Sequence, residues 1–370
     1  PTAKPDSYIV YTRMNDGGFD NGILVKEAKL KMKIKTGTVY SFKVEAVNKG
    51  GKSFPSEILS VYKAPNSQPV VLIVNAFNRI SGPESFTEGV EMAGFNDIFD
   101  AGVPYIADIS YTGRQTEFRR NQPYINDENV GHGASNKDFA NRKIAGNTFD
   151  YPYLHGTAIK AAGHSFVSTS EAAVVSGKVK LKDYRIVDLI LGKERQRINS
   201  LDSTRIDFKT FVPEMRKAIE ELAESGGNLL ITGSNIISDL VLADKSTNFE
   251  KNFIEKTLKV KWMADKIVNV DRVEFKPSSV RHFLHTHISF YSSPNTESYF
   301  VEAPDVIFPA NKKAVKICEY HSNGYSAGIA YKEKYGICIF GFPFETITSA
   351  DEREKLMKSI LHFFTDQTIH

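Results

Sequence analysis

The sequence predicts an α/β protein: a mostly parallel sheet with helices on both faces, an antiparallel extension at its C-terminal end, and an all-β segment ahead of it. Three observations carry this. Val70-Val-Leu-Ile-Val-Asn75 is a continuous apolar run of strand length, as expected of a strand buried on both faces. Strand-like and helix-like stretches then alternate with short links as far as Thr232. Residues 7–62, by contrast, alternate apolar and polar side chains between turn clusters and carry no helical period.

In the first segment, Ser7-Tyr-Ile-Val-Tyr-Thr12 alternates, Asn15-Asp-Gly-Gly18 marks a turn, and Thr38 to Val47 alternates again before the turn Asn48-Lys-Gly-Gly51. Residues 1–64 are read as one module. Ala64-Pro-Asn-Ser-Gln-Pro69, with two prolines and no periodicity, supplies a linker at 65–69, and an α/β domain follows over 70–370. After its first strand at Val70–Asn75, Gly156–Gly163 reads as a short helix and His164–Ser168 as a strand. Tyr184–Leu191 is another strand, closed by Gly192. Pro213 suits a first helical position, and Met215, Ala218, Ile219, Leu222 and Ala223 fall on one face before Gly226-Gly227 stops the helix. Asn228–Thr232 reads as a central strand. Ala314–Tyr320, Gly324–Tyr331 and Tyr335–Phe342 read as three antiparallel strands, and Ala350–Phe364 as a final helix burying Leu356, Ile360, Leu361 and Phe364.

Composition excludes several classes. The 370 residues hold 47 basic and 44 acidic side chains, a net charge of +3, so neither a nucleic-acid stripe nor an acidic disordered chain is indicated. The longest apolar runs fall far short of the ~20 residues of a membrane-spanning helix. Two cysteines, Cys318 and Cys338, exclude a disulfide scaffold and a four-Cys zinc site. Both lie in apolar strands, as buried thiols or as a cross-strand disulfide. The sequence opens without Met or a signal-like leader, which we read as a processed or trimmed piece of a longer protein.

Gly37-Thr-Val-Tyr40-Ser-Phe42-Lys-Val44-Glu-Ala46-Val-Asn48-Lys-Gly-Gly51-Lys-Ser53 resembles the later strands of a fibronectin type III domain. Tyr40 then takes the tyrosine-corner position, its hydroxyl bonded to backbone upstream. The resemblance covers residues 6–62 and implies a partial module from strand C onward; the single Trp, Trp262, lies elsewhere. Such a module is a spacer or packing platform, or a carbohydrate- or protein-binding sandwich.

Gly336-Ile-Cys-Ile-Phe-Gly341-Phe-Pro343-Phe-Glu345-Thr-Ile347, with Arg353 and a terminal helix, resembles the end of the class I glutamine amidotransferase-like superfamily, which is flavodoxin-like. Val74-Asn75-Ala-Phe77-Asn-Arg79-Ile-Ser-Gly82-Pro83, Gly146-Asn147-Thr-Phe149-Asp150-Tyr-Pro152 and Val187-Asp188-Leu-Ile-Leu-Gly192-Lys are similar to secreted Bacteroidetes proteins labelled xanthan lyases, which carry fibronectin type III modules. That resemblance spans most of residues 70–365. The long helical repeats of a toroidal polysaccharide lyase are absent from the sequence.

Ligands of open α/β sheets sit beyond the carboxyl ends of the strands. This rule selects Asn75 and Arg79, Ser168, Ser234 and Asp239, and Glu345. The resemblance implies a nucleophile position at Thr232-Gly233-Ser234-Asn235-Ile236. A serine there acts only with an adjacent base. The second glycine of a G-x-S-x-G elbow is missing, and the His-x-Glu of amidotransferases is replaced by Phe342-Pro343-Phe344-Glu345, where Glu345 matches the carboxylate and no base precedes it.

The segment Asp108–Gly156, rich in Asn, Asp, Gly, Arg and Tyr, reads as an ordered insertion over the carboxyl edge. Arg120, His132, Asn147 and Tyr151 are its ligand-binding candidates. Asp150 and His155 are candidate base and orienter of a hydrolase, or two ligands of a divalent metal, or members of an internally bonded loop. Arg281-His-Phe-Leu-His-Thr-His287 offers His282, His285 and His287, of which 285 and 287 share a strand face without a third partner nearby.

The sequence thus leads to a secreted, periplasmic or cell-surface, glycan-related protein with a degenerate amidotransferase-like domain that binds a polar ligand or supports a larger enzyme. The alternative is a hydrolase or lyase acting on polysaccharide or peptidoglycan. The expected partners are polysaccharide or cell-wall glycan and upstream domains of the same protein. No nucleic acid, cofactor, metal or membrane span is expected.

Overall fold

The computed structural model describes residues 4–53, 55–66, 68–77, 150–198, 206–241, 248–264, 270–276, 280–283, 286–292, 298–299, 301 and 304–366, with the short strands Ser85–Glu88, Met92–Phe95 and Glu117–Arg119. In chain order, the main strands of the first segment are β1 (Ser7–Met14), β2 (Ile23–Val25), β3 (Val39–Asn48) and β4 (Leu59–Tyr62). Next come β5 (Val71–Asn75), β6 (Phe166–Ser170), β7 (Ile186–Gly192) and β8 (Asn228–Gly233). The last group is β9 (Arg272–Phe275), β10 (Thr286–Ser289), β11 (Val315–Tyr320), β12 (Ser326–Lys332) and β13 (Gly336–Phe340).

All of these strands lie in one mixed sheet, in the order β10-β9-β11-β12-β13-β8-β7-β5-β6-β4-β3-β1-β2, with Gly51–Lys52 paired off β3. The central five, β6-β5-β7-β8-β13, are parallel. Numbered by succession along the chain, their spatial order is 2-1-3-4-5, so the winding direction reverses between β5 and β7. The last strand of the expected C-terminal trio has two roles. β13 is antiparallel to β12 but parallel to β8, making it the fifth strand of the parallel unit as well as part of the extension.

The helices that matter here are α1 (Tyr151–Ala161), α2 (Glu171–Val175), α3 (Pro213–Glu224), α4 (Ser238–Val241) and α5 (Ala350–Thr365). α3 starts at Pro213 and buries Met215, Ile219, Leu222 and Ala223. Ser349 caps α5 by accepting from the Glu352 amide, with Asp351 and Glu352 in the first turn where the helix dipole favours acidic groups. Alternation along the parallel strands divides the interior into two cores. Val71, Ile73, Ile186, Ile190 and Leu230 face α1 and α5, whereas Leu72, Val74, Val187, Leu189, Leu229 and Ile231 face α3.

Gly156 lets α1 approach β6 closely. A Cβ there would lie 2.2 Å from Phe166 Cζ, so Gly156→Ala is expected to cost about 1–3 kcal/mol in urea unfolding despite alanine's better helix propensity.

The first segment is continuous with the α/β sheet. Tyr62 of β4 pairs antiparallel with Phe166 of β6, and both rings stack at 6.0 Å. Around them the Ser60 amide donates to Ser168 Oγ (2.6 Å), Ser168 Oγ donates to the Ser60 carbonyl (2.7 Å), and the Ala64 amide donates to Ser165 Oγ (2.9 Å). The residues between Tyr62 and Val71 therefore connect the two strands that flank β6 in one sheet. Tyr40 Oη accepts from the Lys35 amide at 3.3 Å, the upstream backbone contact expected of it. Among the described residues no helix is long and apolar enough to cross a membrane.

Candidate functional site

A buried chain of ionisable groups lies between α1 and the sheet. Alternation along β7 turns Asp188 away from Val187 and Leu189 and toward α1, where one helical turn beyond Tyr151 places His155. His155 Nδ1 meets Asp188 Oδ2 at 2.7 Å and Nε2 meets Glu345 Oε2 at 3.3 Å. Tyr299 donates its hydroxyl to Glu345 Oε1 at 2.6 Å. All four residues are at most 1% exposed. The Phe344 ring lies 4.6 Å from the imidazole, and Phe77, Tyr151 and Tyr299 form an aromatic trio with centroids 5.3–5.8 Å apart.

Burial by itself would push the His155 pKa down, but Asp188 and then Glu345 outweigh it and raise the value to about 9. Geometry explains the direction. With a carboxylate oxygen at each ring nitrogen, only the doubly protonated imidazolium can donate both bonds. His155 is thus a fixed cation at neutral pH and no general base. Asp188 Oδ1 is buried without a hydrogen-bond partner among the described residues, so the group carries more acceptor capacity than it uses. The two ring nitrogens point to opposite sides, so Asp188, His155 and Glu345 cannot share one metal ion.

Ser234 follows β8 and is 3% exposed. Its Oγ donates to the Gly192 carbonyl at 3.3 Å and accepts from Asn235 Nδ2 at 3.3 Å, with no histidine in hydrogen-bond contact among the described residues. Its backbone is not in the positive-φ region that a strained nucleophile turn uses. The amides that open the next helix are occupied: Ile237 N and Ser238 N donate to Asp305 Oδ2 at 2.7 and 3.1 Å. Burial raises the Asp305 pKa to about 6 against the lowering effect of these bonds. A carboxylate of the protein itself therefore sits where a helix N-terminus would otherwise receive a substrate anion.

The remaining candidates disperse. Asp150, at the start of α1, does not meet His155; Arg13 of β1 holds it in a two-pronged pair at 2.6 and 2.8 Å. The same guanidinium bonds Ser41 Oγ and lies 4.5 Å from the Tyr153 ring centre. Asn75 Nδ2 donates to Glu57 Oε2 at 2.5 Å and Ser168 bonds Ser60, so both face the first segment. Asp239 accepts from Gln196 N, Thr210 N and Thr210 Oγ1 at 2.7–2.9 Å, holding Gln196 and Thr210 against α4; burial raises its pKa. Tyr151 belongs to the aromatic trio. Arg79, Arg120, His132 and Asn147 lie outside the described residues, as does His285. Both cysteines are free and buried, which answers the open disulfide alternative.

Sequence reasoning misses Asp188, Tyr299 and Arg13 as site residues. Asp188 carries a signal all the same, since a lone carboxylate inside the apolar stretch Tyr184–Leu191 must be paired if that strand is buried on both faces.

No family model matches the chain, and no curated protein matches it. Among solved structures it is similar to an exo-β-1,4-mannosidase from Opitutaceae bacterium strain TAV5, at TM-score 0.35 and 7% identity over 58% of this chain. This chain spans 30% of the mannosidase's length. It is also similar to a candidate GMP synthase component from Thermoplasma acidophilum, at TM-score 0.32 and 10% identity over 57% of this chain and 86% of that one.

Proposed function

We propose that the chain is a non-catalytic binding or supporting unit, built on a flavodoxin-like, amidotransferase-like domain whose nucleophile position has been converted to structure. The observation that carries this reading is the Ser234 turn: the serine has no base within reach among the described residues, and its neighbouring amides are held by Asp305. The 2-1-3-4-5 parallel order supports the flavodoxin-like assignment. The ligand class we assign is a polar glycan at the carboxyl edge, with the protein secreted or on the cell surface as part of a longer polypeptide. The Asn-, Asp-, Arg- and Tyr-rich composition of residues 108–149, which come after β5 in the sequence, supports that choice.

The test uses the full 370-residue chain on a glycan array and in reducing-end assays with xanthan and peptidoglycan. Retained glycan binding with no cleavage is expected, and Ser234→Ala should leave both unchanged with a stability loss under about 1 kcal/mol. Cleavage that disappears in Ser234→Ala would overturn the non-catalytic reading; an array without a bound glycan would remove the ligand class.

A further inference from the structure

We propose that His282, His362 and Asp366 form a site for one divalent transition-metal ion of the zinc class. The three come from elements distant in sequence. His282 lies in the β9–β10 connection, His362 in the last turn of α5, and Asp366 directly after that helix. Their ligand atoms all lie within 4.8 Å of one another. His282 Nε2 is 2.8 Å from Asp366 Oδ2, and the His282 and His362 rings meet edge to face at 4.8 Å.

His282 is the anchor. Its side chain is 3% exposed, and the nitrogen it turns toward Asp366, Nε2, is the one that would ligate the ion. Two imidazoles and one carboxylate suit Zn²⁺ and its neighbours; Ca²⁺ and Mg²⁺ prefer oxygen ligands. Zinc holds nitrogen ligands at ~2.1 Å, so tetrahedral neighbours stand about 3.4 Å apart. The loosest pair must therefore close by about 1.4 Å at most, which the exposed His362 side chain can supply by changing rotamer.

The C-terminal end of α5 carries partial negative charge and favours a cation. Two basic groups are close by. Arg281 Nη2 is 3.4 Å from Asp366 Oδ2 but is itself 72% exposed and can withdraw to an outer position. Lys332 donates to the carbonyls of Phe363 and Asp366, fixing the helix end. The exposed His362 leaves the site open to solvent, which gives the ion an entry path. A bound ion would staple the β9–β10 connection to α5.

The experiment is calorimetric titration of the metal-stripped full chain with ZnCl₂, paralleled by the visible absorption of a Co²⁺-loaded sample. One Zn²⁺ per chain is expected, with tetrahedral cobalt bands and a raised melting temperature. His282→Ala should weaken binding at least about tenfold, as should His362→Ala. Because His362 is exposed, its substitution should leave the metal-free fold intact by circular dichroism, so the test stands even if His282→Ala fails to fold. Absence of stoichiometric binding, affinity unchanged in His362→Ala, or preference for Ca²⁺ or Mg²⁺ over Zn²⁺ would each overturn the site.

Discussion

Asp188→Ala is expected to lower stability by about 3–5 kcal/mol, since it leaves a buried imidazolium without its closer carboxylate. The same residue controls a pH dependence. The folded His155 pKa of about 9 lies above its ordinary value of 6.5, so the folded state holds a proton that the unfolded chain releases. The stability this contributes is complete below pH 6.5 and is lost as pH rises through about 9. Urea unfolding of the wild type at about pH 6 and about pH 9.5 should therefore differ by about 3 kcal/mol. In Asp188→Ala that slope should largely vanish. Equal slopes in the two proteins would mean that His155 is neutral in the folded state.

Arg13→Ala should be nearly as costly, about 3 kcal/mol or more, because the guanidinium is 8% exposed, binds both Asp150 oxygens and packs on Tyr153. Arg13→Lys should rescue little, since an ammonium cannot reproduce the planar fork that spans a carboxylate. A specific readout separates this from general destabilisation. Residues 4–62 should become the first part cut by a protease, while α1 and the parallel strands retain their protection. Uniform cleavage would mean that this pair is not what holds the first segment in place.

Much of the layering was legible in the sequence, for identifiable reasons. Continuous apolar runs such as Val71–Val74 and Leu229–Ile231 can be satisfied only between two layers, and Pro213 and Gly226 punctuate α3 through φ constraints that any context imposes. The partners across the sheet were not legible. Asn75 and Ser168 read as ligand-binding candidates at the carboxyl edge, because nothing in their spacing announces that β4, with Ser60, lies beside β6 or that Glu57 meets Asn75. The candidate site was half legible. His155 and Glu345 were visible as chemistry-bearing residues, but they are 190 positions apart, and their bridging role depends on Asp188, whose orientation follows from strand alternation only once β7 is placed. Asp150 is misleading for a related reason: proximity in sequence suggests His155 as one possible partner, while the group that neutralises it lies 137 residues upstream.

The pairing of β4 with β6 has a consequence for solubility. A sheet edge presents unpaired amides and carbonyls, and exposed edges recruit other chains. In this protein the parallel unit would end at β6, a strand carrying Phe166, and β4 with its stacked Tyr62 covers that rim. The first segment thus acts as an edge guard. A fragment starting at Val70 would bare the backbone of β6 together with an aromatic face, and its self-association would reflect a lost neighbour instead of a native interface. The unit to express, and to shorten with care, is the whole sheet.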